Sequence, residues 1–313
     1  DGDKNRYLGK GVINAVNISI DSGSKISADF LGFKNGSGPG AGSHLGNNVA
    51  VSGGSYGGLG GNGSYPSQYP FSGPVYGSVT QPTALGSGGG GDTFRTYAGF
   101  GGGAIKLNAS TITINGNVSA RGGDEQGDDY GSGGSGGSIW IVADFINGTG
   151  FIDSHGGISH SAGTYTGGGG GGRIALDSRD KIDFNGTINN YGRLGSYEYG
   201  SGGSVFINAT NSIILNATTI LTGKEGGNLN ITGNRLVLNG FYNSSSSVNG
   251  TISVTYSNCS SELSGTFLPE YTKLSCPDCS ANLSVIVNSP ARGENFSITN
   301  FTINVSTGFY AEH

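Results

Sequence analysis

The densest acidic run in the sequence, Asp124-Glu125-Gln126-Gly127-Asp128-Asp129, offers hard oxygen ligands of the kind Ca2+ takes. Its spacing matches neither an EF-hand loop nor the glycine-aspartate nonapeptide of calcium β-rolls. A solvated turn is therefore the first expectation, with Ca2+ at Asp124, Glu125, Asp128 and Asp129 as the alternative. Asp177, Asp180 and Asp183 form a weaker second group, and no other cofactor is expected. Hydrolysis of a glycosidic bond would need two facing carboxylates, and a lyase a base beside Ca2+. Asp144, Asp153, Asp177 and Asp183 fall on or near strand-like segments but form no recognisable acid/base motif, so no catalytic residue is assigned and no enzyme is expected. His44, His155 and His160 are too scattered for a metal site, and Gly167 to Gly172 lacks the Gly-Lys-Ser/Thr of a phosphate loop. Trp140, flanked by Ile139 and Ile141, is either a strand aromatic or a platform for sugar stacking.

Two further residue types bear on modification. Cys259, Cys276 and Cys279 include a Cys-Pro-Asp-Cys spacing without a second such pair, which favours one disulfide among the three over zinc. Asn-x-Ser/Thr acceptors number 17: Asn17, Asn35, Asn62, Asn108, Asn117, Asn147, Asn185, Asn208, Asn216, Asn230, Asn243, Asn249, Asn258, Asn282, Asn295, Asn300 and Asn304. With asparagine, serine and threonine at their abundance here, chance would give about 6, so covalent N-glycans and an extracellular or cell-surface location are expected.

Glycine fills 63 of 313 positions without the strict period and high proline of collagen, and 34% of residues are hydrophobic. The aliphatic residues come in short alternating bursts that could stack into a core. A net charge of -5 gives no basic field, so nucleic acid is not an expected partner. No apolar run approaches the roughly 20 residues needed to span a bilayer, so no transmembrane segment is expected. The opening Asp1-Gly2-Asp3-Lys4 and the lack of methionine read as a processed or trimmed amino terminus.

The bursts repeat. Gly103-Ala104-Ile105-Lys106-Leu107 leads to Ile112-Thr113-Ile114 and then Val118-Ser119-Ala120, and similar units start at Gly137, Gly172, Gly203 and Gly227. The anchors Ile105, Ile139, Ile174, Val205 and Leu229 are spaced by 34, 35, 31 and 24 residues. About 24 residues is thus the bare unit. The extra residues read as loops such as 131 to 137 and 167 to 172, and the glycines as corners of positive φ, with an extended packing segment as the other reading of the 167 to 172 run. Two or three short strands plus turns make one turn of a parallel β-helix. Part of an earlier copy survives at Ile18-Ser19-Ile20 and Lys25 to Ala28.

The predicted fold is all-β: a Gly-rich parallel β-helix over residues 1–257, a Cys-containing linker over 258–281, and the start of an Ig-like sandwich over 282–313. A Gly/Ser/Tyr-rich insert at about 29–103 either packs its own aromatics as a flap or serves a partner. The pattern of Gly133-Gly134-Ser135-Gly136-Gly137-Ser138-Ile139 and Gly169-Gly170-Gly171-Gly172-Arg173-Ile174 resembles the Gly-rich β-helix modules of microbial surface and secreted proteins. That resemblance covers nearly half the chain and implies a right-handed solenoid and an envelope location, with no specified activity. An archaeal origin would suit the sequon density. The functional expectation is a structural segment of a filament, stalk or surface layer, partnered by copies of itself or other envelope proteins. The alternatives are an adhesin holding carbohydrate on the Tyr-rich insert or the Trp140 face and, after it, a polysaccharide lyase or hydrolase.

Overall fold

The computed structural model describes residues 9–45, 50–64, 70–91, 98–126, 131–159, 165–258 and 260–268, together with the strand backbones of 271–275 and 285–286. All regular structure among them is β, and no described helix is long and apolar enough to cross a membrane.

Alternation of aliphatic with polar residues builds two long parallel sheets. In the larger sheet Lys10–Asn14, Ala104–Asn108, Ser138–Gly148, Arg173–Phe184, Ser204–Leu215, Asn228–Leu238, Thr251–Tyr256 and Tyr271–Ser275 lie side by side. The chain then turns into the smaller sheet, where Lys25–Ser27, Asn117–Ser119, Phe151–Asp153, Thr187–Asn189, Thr218–Ile220, Phe241–Asn243 and Thr266–Leu268 follow the same order. Each winding thus contributes to both sheets before the next is laid parallel beside it. Parallel pairing needs such a long return path, which the repeat length supplies.

Register places Ile105, Ile139, Ile174, Val205 and Leu229 in one ladder, as the repeat spacing predicts, and extends it to Ile252. A second ladder runs Leu107, Ile141, Leu176, Ile207, Ile231 and Val254, all buried. A shift in register between Ser178 and Lys181 marks a bulge where the long strand bends, and the Ser178 hydroxyl donates to the Asp144 and Lys181 carbonyls there. Parallel pairing continues beyond residue 257: Phe241–Asn243 pairs with Thr266–Leu268, and Tyr242 stacks on Phe267 with ring centroids 4.8 Å apart. The segment at 282–313 lies outside the described residues except for Val285–Ile286, which pairs antiparallel with Tyr271–Ser275.

The glycine clusters correct the expectation of corners and loops and leave the extended packing segment as the reading of the 167–172 run that fits. Positive φ occurs at Gly23, Gly36, Gly38, Gly77 and Gly148 among the described glycines, not in the 131–137 or 167–172 runs, which are buried. Those runs are extended rows packed against other rows. Gly167 and Gly170 donate to Val51 and Gly54, Gly168 and Gly171 to Glu198 and Ser201, and Gly169 and Gly172 to Gly157 and Ser154. The same holds one winding earlier: Gly133 and Gly136 donate to Gly167 and Gly170, Gly134 and Gly137 to Gly123 and Ala120, and Ser132 and Ser135 to Gly90 and Ser87. Donation that changes neighbour at each step and repeats every third residue is the symmetry of an extended threefold helix of the polyproline II type. In the 167–172 row a Cβ at any position would run into backbone, as at the crowded axis of collagen, whereas the 131–137 row leaves room at every third position for the buried side chains of Ser132 and Ser135. The amides of 132–137 and 167–172 all find a carbonyl outside their own segment.

The 29–103 insert supplies several of the rows. Gly54 donates to Gly133, Gly58 to Gly171, and Leu59 accepts from Ser201. The insert packs part of its own aromatic content: Tyr56 is fully buried, its hydroxyl lies 2.6 Å from Ser138 Oγ, and its ring centroid is 4.8 Å from that of Tyr76. Arg173 ties the insert down, donating from Nε to the Tyr76 carbonyl at 2.8 Å with its guanidinium 5.4 Å from the Tyr56 ring centroid. Tyr65 and Tyr69 lie outside the described residues.

Candidate functional site

The sequence-derived candidates separate once the windings are stacked. Asp124 Oδ1 accepts from the Ile158 amide at 2.8 Å, and Glu125 accepts from the Gly131 amide and the Ser159 hydroxyl. Both carboxylates therefore pin one winding to the next. Asp128 and Asp129 lie outside the described residues. Asp177 accepts from Asn208 at 2.9 Å and Asp180 from Asn211 at 2.7 Å, each one winding away, while Asp183 faces Lys181 at 3.1 Å. Asp144 pairs with Arg179. Among the described residues no group of three or more His, Cys, Asp or Glu side chains gathers as metal ligands would. Cys259, Cys276 and Cys279 and His160 are outside the described residues, and His44 is exposed on a short strand.

Trp140 faces outward, but Lys106 of the preceding winding holds its ammonium 3.6 Å from the ring centroid. That face of the indole is covered rather than open for sugar.

Of the 17 sequon asparagines, Asn282, Asn295, Asn300 and Asn304 fall outside the described residues; none of the other 13 is buried. Asn17, Asn185, Asn216 and Asn230 are the most open. Several stand in polar ladders along the outer surface: Asn108 donates to Asn14 at 3.1 Å and Asn216 to Asn185 at 2.5 Å. Asn190 is different. It is 0% exposed, donates from Nδ2 to the Gly172 and Ser204 carbonyls, and stands in Asn-Tyr-Gly, which is no acceptor.

Where the smaller sheet gives way to the glycine rows, side chains up to 92 residues apart in sequence come together. The carboxylate of Asp29, 7% exposed, takes bonds from Arg121 Nη2 at 2.9 Å and Lys25 Nζ at 2.6 Å, and from the Arg121 amide. Burial alone would raise its pKa; the bonds from Arg121 and Lys25 overcome that and hold it well below the usual carboxylate range. Two windings on, Asp153 Oδ2 lies 3.6 Å from His155 Nε2, and the His155 ring stacks on Tyr191 with centroids 5.0 Å apart. Burial pushes the Asp153 carboxyl up and the His155 imidazole down, each against the charge of the other.

Asp29 carries a pH prediction. Its native pKa lies below the unfolded value of about 3.9, so the unfolded chain binds more protons as pH falls through that range. Stability supplied by Asp29 is complete above about pH 5 and is lost on acidification. Asp29→Asn should lower stability at pH 7 by about 2 kcal/mol by leaving Arg121 without its counter-charge, and should flatten the acid limb. Urea melts of both proteins from pH 3 to 7 check this; parallel pH profiles would contradict it.

Beside this row an open groove of about 440 Å3 is lined by Ile158, Tyr191, Arg193, Leu194, Tyr199 and Thr222. It crosses three windings, since Ser159 donates to Leu194 and Gly192 to Thr222. No family model matches the chain, and no curated protein or solved structure matches it either.

Proposed function

We propose that this chain is an extracellular, N-glycosylated structural protein, a parallel β-helix that serves as a rigid segment of a filament, stalk or surface layer. The observation that carries this reading is the contrast between the described sequon asparagines, none of them buried, and Asn190, the fully buried asparagine, which belongs to no sequon. A glycan can be attached at a surface asparagine without opening the core, and every described acceptor meets that condition. Stiffness is supported by two parallel sheets and by rows of glycine bonded in three directions, which give a winding no freedom to slide. Copies of the same chain or other envelope proteins are the partners in this reading.

Glycopeptide mass spectrometry on protein from its native source tests it. Glycan mass is expected on several acceptors, first Asn17, Asn185, Asn216 and Asn230; a full set of unmodified sequons would reject the reading. Electron microscopy of the same material should show rods joined into ordered assemblies. The groove beside Tyr191 favours a second role as an adhesin.

A further inference from the structure

We propose that the groove lined by Tyr191, Arg193 and Tyr199 binds a carboxylate-bearing polysaccharide, a chain containing uronic acid. This goes beyond the structural role and does not depend on the glycan coat. Four observations converge on it.

First, the volume of about 440 Å3 lies in the range of small-molecule sites, and the lining is apolar and aromatic with few polar groups. Second, aromatic and aliphatic side chains stand open to solvent where a core protein would hide them: Tyr199 is 51% and Leu194 40% exposed. Tyr165 and Tyr197, 50% and 48% exposed, meet edge to face at 6.0 Å and belong to the same glycine-row flank, where Tyr197 donates to Thr166. Tyrosine offers an apolar ring face to the C–H side of a pyranose and a hydroxyl to its edge.

Third, Tyr191 is held in place for this task. His155 stacks on it with an interplanar angle of 19°, and Arg193 Nη1 donates to its hydroxyl at 3.2 Å. Fourth, Arg193 is a half-buried cation with no carboxylate at ion-pair distance among the described residues, whereas the nearby Glu198 is taken by Lys224 at 2.8 Å and by the Asn62 amide. A guanidinium bonded to a tyrosine hydroxyl but to no carboxylate among the described residues, and set beside exposed rings, is suited to a ligand carboxylate, which it can grip with two parallel bonds. The groove also crosses three windings. Adjacent parallel strands lie about 4.8 Å apart, so a span of about 10 Å accommodates two consecutive sugar rings lying along the stack.

Titration calorimetry of the full chain with oligogalacturonate, and with a neutral cello-oligosaccharide of the same length, tests the assignment. The acidic oligomer should bind, weaken as salt rises, and lose affinity about tenfold or more in Arg193→Ala and in Tyr199→Ala. Arg193→Lys should recover part of it. Both side chains are partly exposed, so unchanged thermal unfolding is expected and separates lost binding from lost fold. No binding of the acidic oligomer overturns the proposal. So does equal affinity for the neutral oligomer, or affinity indifferent to both substitutions.

Discussion

Gly169→Ala should destabilise the protein by about 3 kcal/mol or more, enough to remove most of the margin of a typical domain. A Cβ on Gly169 would lie 2.0 Å from the Gly134 carbonyl oxygen and 2.9 Å from the Gly157 amide nitrogen. Both obstacles are backbone and neither can rotate away. Gly169 also donates to Gly157, and its carbonyl accepts from Arg193, so shifting this row pulls three others out of bonding distance. Overpacking a core that can relax costs about 1–3 kcal/mol; here relaxation breaks hydrogen bonds as well. The comparison is Gly11→Ala, where nothing lies within 4 Å of the added methyl and φ is not positive. That change should fall within about 0.5 kcal/mol of neutral. Chemical denaturation of both variants measures the difference. Equal stabilities would mean that the rows are not close-packed.

Phe184→Ala should cost about 3–5 kcal/mol. Phe184 is 0% exposed and takes the ladder position of Gly148 in the preceding winding and Leu215 in the following one. The ring reaches towards Gly186, where its tip would lie 2.6 Å from an added Cβ. Truncation opens a cavity that Gly148 cannot fill, because its φ of 131° and the Ile114 carbonyl leave no place for a side chain there. Neighbours would have to move along the stack, where each winding is stabilised chiefly by the two it touches. Phe184→Leu should cost less, about 1–2 kcal/mol, since most of the apolar volume remains. Urea unfolding of the two variants reads the ratio, and a Phe184→Ala cost below about 1 kcal/mol would show a site able to collapse.

These two sites divide what the sequence carries from what it does not. Strand alternation and repeat spacing specify the ladders, because side chains that stack in space sit at corresponding places in each repeat. Ile105, Ile139, Ile174, Val205 and Leu229 hold corresponding places in successive repeats and stand in register in the structure. Lys10–Asn14 gave no such signal: its residues are exposed on both faces, so burial imposes no alternation on it. The sequence also determined where glycans could be attached, since an acceptor is a local motif and the outward faces of strands follow from period two. It could not tell corner glycines from packed ones. A Cβ is excluded at Gly169 by Gly134 and Gly157, neither of them a neighbour in the chain, whereas a corner excludes it through local φ.

The candidate binding surface was decided by tertiary structure alone. Trp140 is conspicuous as the single tryptophan, yet stacking places the Lys106 ammonium over it. Tyr191, Arg193 and Tyr199 look like ordinary loop residues until their neighbours arrive. His155 comes from the winding before, Thr222 from the one after, and Glu198 is diverted to Lys224. Asp29 and Arg121 meet across 92 residues because the insert returns the chain to the place where the first winding ended. Contacts of that kind depend on loop lengths and on how rows without side chains settle against one another. A sequence of glycines specifies that close approach is possible; only the folded stack specifies which backbones approach.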